Sequence, residues 1–195
     1  GPLAAGATVV MYEGAPDYPY PDRWWRMVEH YGITILYTAP TAIRAIRKQD
    51  PDGAHIGRYD LSGLRYLFQA GERLDPDTYE WASAKLGIPV VDHWWQTETG
   101  WAIAANPMGV EPFPIKPGSP TLPMPGYDVR ILDAEGAPCG PGTEGAICIK
   151  LPMPPGTLQT LWNNDARYQA GYLVEYPGYY LTGDGAFLQL GMMML

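Results

Sequence analysis

Apolar and amphipathic segments alternate through the first half of the chain. Runs rich in β-branched and apolar residues predict strands over residues 7–12, 33–37, 64–68 and 89–92. Segments that predict helices lie between successive runs, over residues 22–32, 41–48 and 75–86. Strands that alternate with helices at this spacing predict a parallel sheet with covering helices.

The pattern changes after Ile115, where glycine and proline turn signals become dense. Short runs over residues 128–132 and 146–150 predict strands of a small antiparallel unit, with a helical turn at 164–169 and a returning strand at 179–181. The predicted fold class is therefore α/β, a parallel sheet with covering helices followed by a small antiparallel β subdomain. The predicted boundaries are 1–115, 116–186 and a charge-free, aberrant apolar tail at 187–195.

A polar heptad, Trp94-Trp95-Gln96-Thr97-Glu98-Thr99-Gly100, follows the fourth predicted strand directly. Polar groups at the carboxyl end of a parallel strand lie where open α/β sheets bind ligands. A carboxylate can bind Mg²⁺, a hydroxyl can bond a phosphate, and an indole can enclose an apolar substrate. A buried strand followed by a solvated surface turn has the same pattern, so the heptad alone leaves both interpretations open.

Composition narrows the classes of partner. The net charge is −8 and only 17% of the 195 residues are charged, which argues against nucleic acid because its phosphate backbone requires clustered lysine and arginine. The two cysteines, Cys139 and Cys148, lack metal-ligand spacing and favour a reducing compartment, the cytoplasm or a mitochondrial matrix. No apolar span is long enough to indicate a membrane partner.

Four segments in order resemble the motifs of AMP-forming acyl-CoA synthetases of the acetyl- and propionyl-CoA type. The heptad resembles the substrate and ATP motif. The other three are Tyr37-Thr38-Ala39-Pro40-Thr41-Ala42-Ile43-Arg44 near the CoA channel, Gly71-Glu72-Arg73-Leu74 on the adenine side, and Tyr180-Leu181-Thr182-Gly183-Asp184-Gly185 at the ribose. The resemblance runs from about Leu3 to Ala186 and implies part of the large N-terminal domain of an adenylate-forming enzyme.

The resemblance implies a ligase that activates propionate or acetate with ATP and Mg²⁺ and transfers the acyl group to CoA. Glu98 matches the magnesium-binding glutamate of the family, and Thr97 matches the hydroxyl that bonds the α-phosphate. These two residues are the catalytic candidates. Asp184 matches the aspartate that accepts the ribose hydroxyls, although aspartate in a Thr-Gly-Asp-Gly run is also typical of a turn.

The same resemblance assigns further contacts with the nucleotide and with CoA. The family often has proline at the position of Arg73 and threonine at the position of His93, so His93 also fits a hydrogen-bonded core histidine. The residues assigned to nucleotide or cofactor binding are Ala39, Gly71, Glu72, Arg73, Asp92, His93, Trp94 and Gln96.

Two residues carry the expectation of a short acyl substrate. Long-chain relatives have a small residue at the position of Trp95, so an indole there implies a closed acyl pocket. Acetate-specific members tend to have valine at the position of Ala70, and the smaller alanine favours propionate. One methylene is worth only about 1–3 kcal/mol, so this selectivity is expected to be partial.

The resemblance also implies that parts of the parent enzyme lie outside this sequence. The family's phosphate loop precedes the matched segment, and a C-terminal domain with a catalytic lysine follows it. We therefore expect the chain alone to be inactive and to act with the remaining parts of the parent enzyme. The alternative is a non-enzymatic module that binds a nucleotide or a protein partner through exposed tryptophan and tyrosine.

Overall fold

The computed structural model describes residues 1–189 and 192–194. Their contacts divide the chain into two compact units, Gly1–Asp92 and His93–Leu195. This division lies upstream of the change in turn density at Ile115. Each unit has its own strands and its own buried clusters.

The first unit contains three parallel strands and the helices that connect them. The strands are β1 (Ile35–Thr38), β2 (Tyr66–Gln69) and the beginning of β3 (Val90–Trp95), and the helices are α1 (Arg23–Tyr31), α2 (Pro40–Gln49) and α3 (Pro76–Leu86). Ile35 pairs with Tyr66, and Leu67 pairs with Val90, both in parallel register. The predicted parallel sheet with covering helices is confirmed.

Local sequence explains the ends of these helices. Asp75 caps α3 because its side chain accepts a hydrogen bond from the Thr78 N–H at 2.9 Å, and Pro76 occupies the first turn. Gly87 and Gly32 end α3 and α1 with φ of 64° and 59°, the left-handed conformation that glycine adopts without strain. The helices cover a core that contains Trp25, Ile43, Ile46, Leu67, Leu74, Trp81 and Val90.

The second unit is mainly antiparallel. The end of β3 pairs with β4 (Ala102–Ala105), and β4 pairs with β5 (Leu122–Pro123). A second sheet has the order β6 (Val129–Leu132), β7 (Gly145–Lys150), β8 (Tyr179–Gln189) and β9 (Met192–Met194), and helix α4 (Asp165–Tyr172) precedes β8. The predicted antiparallel subdomain is confirmed, while β4 lies in a stretch for which no strand was predicted.

Two expectations differ from the structure. Residues 7–12 form no strand, and Val9, Val10 and Met11 are exposed; a β-branched run becomes a strand only where a neighbouring strand offers its hydrogen bonds. Part of the predicted apolar tail lies in strands β8 and β9, since Phe187 pairs with Met194 and Gln189 with Met192. Its residues 190, 191 and 195 lie outside the described residues.

Both cysteines are free thiols, and their environments differ. Burial raises the pKa of the Cys148 thiol to about 11, with a smaller contribution from the charge of Glu175. Cys148 therefore stays protonated at neutral pH and behaves as a core residue of β7. Across the residues that the structure describes, helices fall short of the length and apolarity required to cross a membrane.

Gly145 allows the close approach of β7 to the chain beside it. A Cβ at this position would lie 2.5 Å from the Leu132 carbonyl oxygen and 2.6 Å from Cys139 Sγ. We expect Gly145→Ala to lower the free energy of unfolding by about 1–3 kcal/mol, because the backbone must shift to accept the methyl group. Gly140→Ala is the matched control, since its Cβ meets nothing within 4 Å. Equal urea-unfolding midpoints for the two variants would contradict this expectation.

Candidate functional site

The polar heptad forms the end of β3 and a tight turn after it. The Thr99 and Gly100 N–H groups donate to the Gln96 carbonyl oxygen at 3.0 and 3.2 Å. The Thr99 hydroxyl is buried and bonds the Gln96 main chain, which locks the turn. Thr97 and Glu98 consequently lie in the middle of the turn, where Thr97 is exposed and Glu98 is half-buried.

Asp184 forms hydrogen bonds with Trp94 and Gln96 in the heptad, although it is distant from them in sequence. Its Oδ2 atom accepts hydrogen bonds from Gln96 Nε2 at 2.7 Å and from Trp94 Nε1 at 3.2 Å. Gln96 Nε2 also donates to the Thr182 carbonyl oxygen at 2.8 Å. Within the described residues Oδ1 has no hydrogen-bond partner in the protein, so an exposed acceptor remains for a ligand hydroxyl.

Glu98 is held by Tyr172, the last residue of helix α4, and by Leu158. The Tyr172 hydroxyl donates to Glu98 Oε1 at 3.2 Å, and the Leu158 N–H donates to the Glu98 carbonyl oxygen at 2.6 Å. Burial, followed by the charge of Glu98, raises the pKa of Tyr172. The phenol therefore remains protonated and able to donate throughout the neutral range.

The donor set around Glu98 fits a magnesium ion that is bound mainly by a ligand. In the described part of the chain, no group of three or more histidine, cysteine or acidic side chains is arranged to hold a metal. Mg²⁺ retains several waters and is commonly bound through one or two carboxylates together with phosphate oxygens. The half-exposed Glu98 carboxylate satisfies this requirement because no cationic side chain in the described residues forms a salt bridge with it.

A cavity of about 560 Å³ lies between α4 and β8 in the second unit. Gly183 and Tyr172 line it, and these residues adjoin Asp184 and contact Glu98 respectively. Its volume is typical of small-molecule sites. The remaining lining residues are Leu161, Trp162, Asn164, Arg167, Gly171, Leu181 and Thr182.

The loop after β2 forms a separate cluster in the first unit. The Glu72 carboxylate accepts hydrogen bonds from the Thr41 N–H at 2.8 Å and from the Thr41 hydroxyl, and it pairs with Arg44 at 2.7 Å. Arg44 also pairs with Asp75 at 2.9 Å. Ala39 at the start of α2 has no side-chain acceptor, so Glu72 supplies the cap. The Glu72 carboxylate is thus engaged by the protein.

Asp92 fixes the other end of the same loop. This buried carboxylate accepts a hydrogen bond from the Leu74 N–H at 3.3 Å. Ala70 is buried at the end of β2, and Gly71 has a φ of 99°, which favours glycine. Arg73 is exposed. The loop is therefore held by its neighbours on both sides.

The structure brings together several of the predicted site residues within the second unit. Trp94, Gln96 and Asp184 are directly bonded, Glu98 lies in the adjoining turn, and Trp95 is 38% exposed. His93 is buried, in agreement with a core histidine. The binding roles of all these residues remain predictions. Sequence analysis missed the contacts of five residues. Four of them lie in quoted motifs, namely Thr41, Arg44, Thr99 and Tyr180, whereas Tyr172 lies outside every quoted motif and has no local signal.

Comparison with known proteins assigns the family. The chain matches the AMP-binding enzyme family over residues 1–158, and it belongs to that family. It is 47% identical to the acetyl-coenzyme A synthetase of Rubrobacter xylanophilus over 95% of this chain. It is 44% identical to the propionate–CoA ligase of Salmonella typhimurium over 88% of this chain. An uncharacterized protein of Pseudomonas aeruginosa is 51% identical over 96% of this chain. The chain spans only 29%, 27% and 30% of the length of these relatives, respectively.

The cap that Glu72 places on α2 can be tested by substitution. We expect Glu72→Gln to lower the free energy of unfolding by about 0.5–2 kcal/mol, because it weakens the helix cap and removes the charge paired with Arg44. Glu80→Gln on the exposed side of α3 is the matched control and should leave stability unchanged. The measurement is urea unfolding followed by far-UV circular dichroism. Identical midpoints for both variants would show that the cap contributes nothing.

Proposed function

We propose that the complete protein carrying this sequence is an AMP-forming short-chain acyl-CoA synthetase that uses propionate or acetate. The observation that carries the proposal is the bonded set of Trp94, Gln96 and Asp184 beside Glu98, because it joins two separate motifs at one place. The printed names of the similar acetyl-coenzyme A synthetase and propionate–CoA ligase support this substrate class. The substrates ATP and CoA, and the metal Mg²⁺, belong to the same proposal.

The proposed reaction has two steps. A carboxylate oxygen attacks the α-phosphorus of ATP, pyrophosphate leaves, and an acyl adenylate forms. The sulfur of CoA then attacks the acyl carbon, the thiol proton is lost, and AMP leaves as the thioester forms. The protein contributes by orienting the reactants and stabilising charge on the phosphate.

Residues of the second unit have distinct roles in this proposal. Asp184 accepts the ribose hydroxyls through its free oxygen, while Trp94 and Gln96 hold its other oxygen. Thr97 is exposed in the turn and donates its hydroxyl to the α-phosphate. Glu98 is the residue that would hold Mg²⁺. When bound, the metal would neutralise part of the phosphate charge.

Residues of the first unit contribute mainly through the main chain in this proposal. The resemblance assigns adenine contacts to Gly71, Glu72 and Arg73, and the engagement of the Glu72 carboxylate by α2 favours main-chain contacts there. Asp92 supports the loop through Leu74. Ala39 is proposed to adjoin CoA at the end of β1.

The proposed activity is tested by acid-dependent exchange of radiolabelled pyrophosphate into ATP, with the complete protein and without CoA. We expect exchange with propionate and acetate, weak exchange with octanoate, and acyl-CoA after addition of CoA. Asp184→Asn should reduce exchange by raising the KM for ATP, whereas Glu111→Gln should not. Nucleotide binding without exchange by any acid would contradict the proposal and favour a non-enzymatic nucleotide-binding module.

Trp95 provides a test of acyl chain length. It ends β3 after a register shift between Trp94 and Trp95, and its side chain is partly exposed. In the complete protein, Trp95→Gly should move the preference from propionate toward medium-chain acids. Burial is worth about 0.8 kcal/mol per methylene, so four to six added carbons should contribute about 3–5 kcal/mol.

The measurement is the ratio of kcat/KM across acids of increasing length, with Ala70→Val as the complementary variant. Ala70→Val adds bulk at a buried position and should favour acetate over propionate. Trp101→Gly, at another exposed tryptophan of the same unit, is the control for nonspecific loss. Unchanged ratios in both test variants would remove the physical basis for propionate selectivity.

A further inference from the structure

Helix α4 ends with a tyrosine whose hydroxyl contacts the heptad turn. Tyr172 is the last residue of α4, is half-buried, and donates to Glu98 Oε1 at 3.2 Å. Sequence motifs assign no role to this tyrosine. Its one polar contact with the turn is made to the side chain that matches the family's metal-binding glutamate.

Aromatic packing fixes the position of the Tyr172 ring. It stacks on Tyr180 with centroids 5.2 Å apart and an interplanar angle of 7°. It also contacts Tyr168, one turn earlier on α4, at 5.6 Å. Tyr180 is 1% exposed on β8, so the ring that supports Tyr172 is itself immobilised in the core.

The same aromatic pair is connected to the Asp184 carboxylate through Gln96. The Tyr180 hydroxyl donates to Gln96 Oε1 at 3.4 Å, and Gln96 Nε2 donates to Asp184 Oδ2 at 2.7 Å. A continuous series of contacts therefore runs from Glu98 through Tyr172, Tyr180 and Gln96 to Asp184. All five residues belong to the second unit.

We propose that Tyr172 is a positioning residue that orients the Glu98 carboxylate for metal binding, an inference that rests on the proposed function. The hydrogen bond occupies Oε1 and leaves Oε2 for the cation. Glu98 lies in a turn and is only half-buried, so without this bond its carboxylate would sample several rotamers. Partners that orient a metal ligand in this way commonly change metal affinity by about 10–100-fold when they are removed.

A variant at Tyr168 can distinguish this positioning role of Tyr172 from a purely structural role. It lies on the same helix, is buried, and donates its hydroxyl to the Leu158 carbonyl oxygen at 3.3 Å. Its hydroxyl makes no hydrogen bond to Glu98. Tyr168→Phe therefore removes a phenol from the same aromatic cluster without removing the Glu98 contact, while Tyr172→Phe keeps the stacked ring.

The experiment measures Mn²⁺ binding by electron paramagnetic resonance in the complete protein saturated with a non-hydrolysable ATP analogue. We expect Tyr172→Phe to weaken Mn²⁺ binding by about tenfold, and Tyr168→Phe to leave it unchanged. Affinity for the analogue measured in EDTA should be the same in both variants and in wild type, because Tyr172 does not act on the nucleotide directly. The midpoint of the Mg²⁺ dependence of pyrophosphate exchange should shift with the Mn²⁺ affinity.

A double-variant cycle with Glu98→Gln provides the second test. In that background Tyr172→Phe should cause no further loss of Mn²⁺ affinity, and an added loss of the full size would overturn the inference. Unchanged Mn²⁺ affinity in Tyr172→Phe, or equal losses in Tyr172→Phe and Tyr168→Phe, would overturn it as well. Failure of the proposed function is distinguishable, because it would appear in wild type as absent exchange and absent nucleotide-dependent Mn²⁺ binding.

Discussion

The hydrogen bonds that Asp184 Oδ2 accepts from Trp94 and Gln96 are the interaction on which the candidate site depends. They join the end of β3 and the turn after it to β8, a strand far along the chain. Hydrogen bonds to an ionised acceptor are roughly twice as strong as neutral ones, so one carboxylate oxygen holds two donors firmly. Because that oxygen is occupied, the orientation of the other oxygen is defined before any ligand arrives. The site is in this sense preorganised by groups that also hold the loop.

In the first unit a carboxylate again fixes a loop, because the Glu72 side chain joins the loop after β2 to the beginning of α2. The beginning of α2 has unsatisfied N–H groups and an alanine where a capping side chain would serve. Glu72 satisfies this requirement from the loop after β2, and Arg44 neutralises the carboxylate from within α2. A conspicuous acidic side chain in a binding motif thus has a structural task. The adenine contact proposed for this loop would therefore involve its glycine-containing main chain or the exposed Arg73 side chain.

The hydrogen bonds of the tyrosine hydroxyls also explain why this chain uses tyrosine more often than phenylalanine. The chain has 14 Tyr and 3 Phe, and several tyrosines pack their rings while their hydroxyls donate hydrogen bonds to polar groups elsewhere in the chain. The Tyr59 hydroxyl donates to the carboxylate of Asp22, the residue that precedes α1. The hydroxyls of Tyr168, Tyr172 and Tyr180 donate to the Leu158 carbonyl, the Glu98 carboxylate and the Gln96 amide oxygen, respectively. Each ring contributes apolar contact, and each hydroxyl fixes a polar group that apolar packing alone would leave unoriented.

The sequence by itself determined the elements whose signals are local. The helical periodicity between Asp22 and Gly32 located α1, and the motif order indicated the family and the residues of the turn. Tertiary structure alone decided that residues 7–12 form no strand, that Glu72 caps a different helix, and that Tyr172 reaches Glu98. Strand pairing and these hydrogen bonds join residues that are distant in the chain, so neither propensity nor spacing could reveal them; they exist only where packing brings the partners within bonding distance.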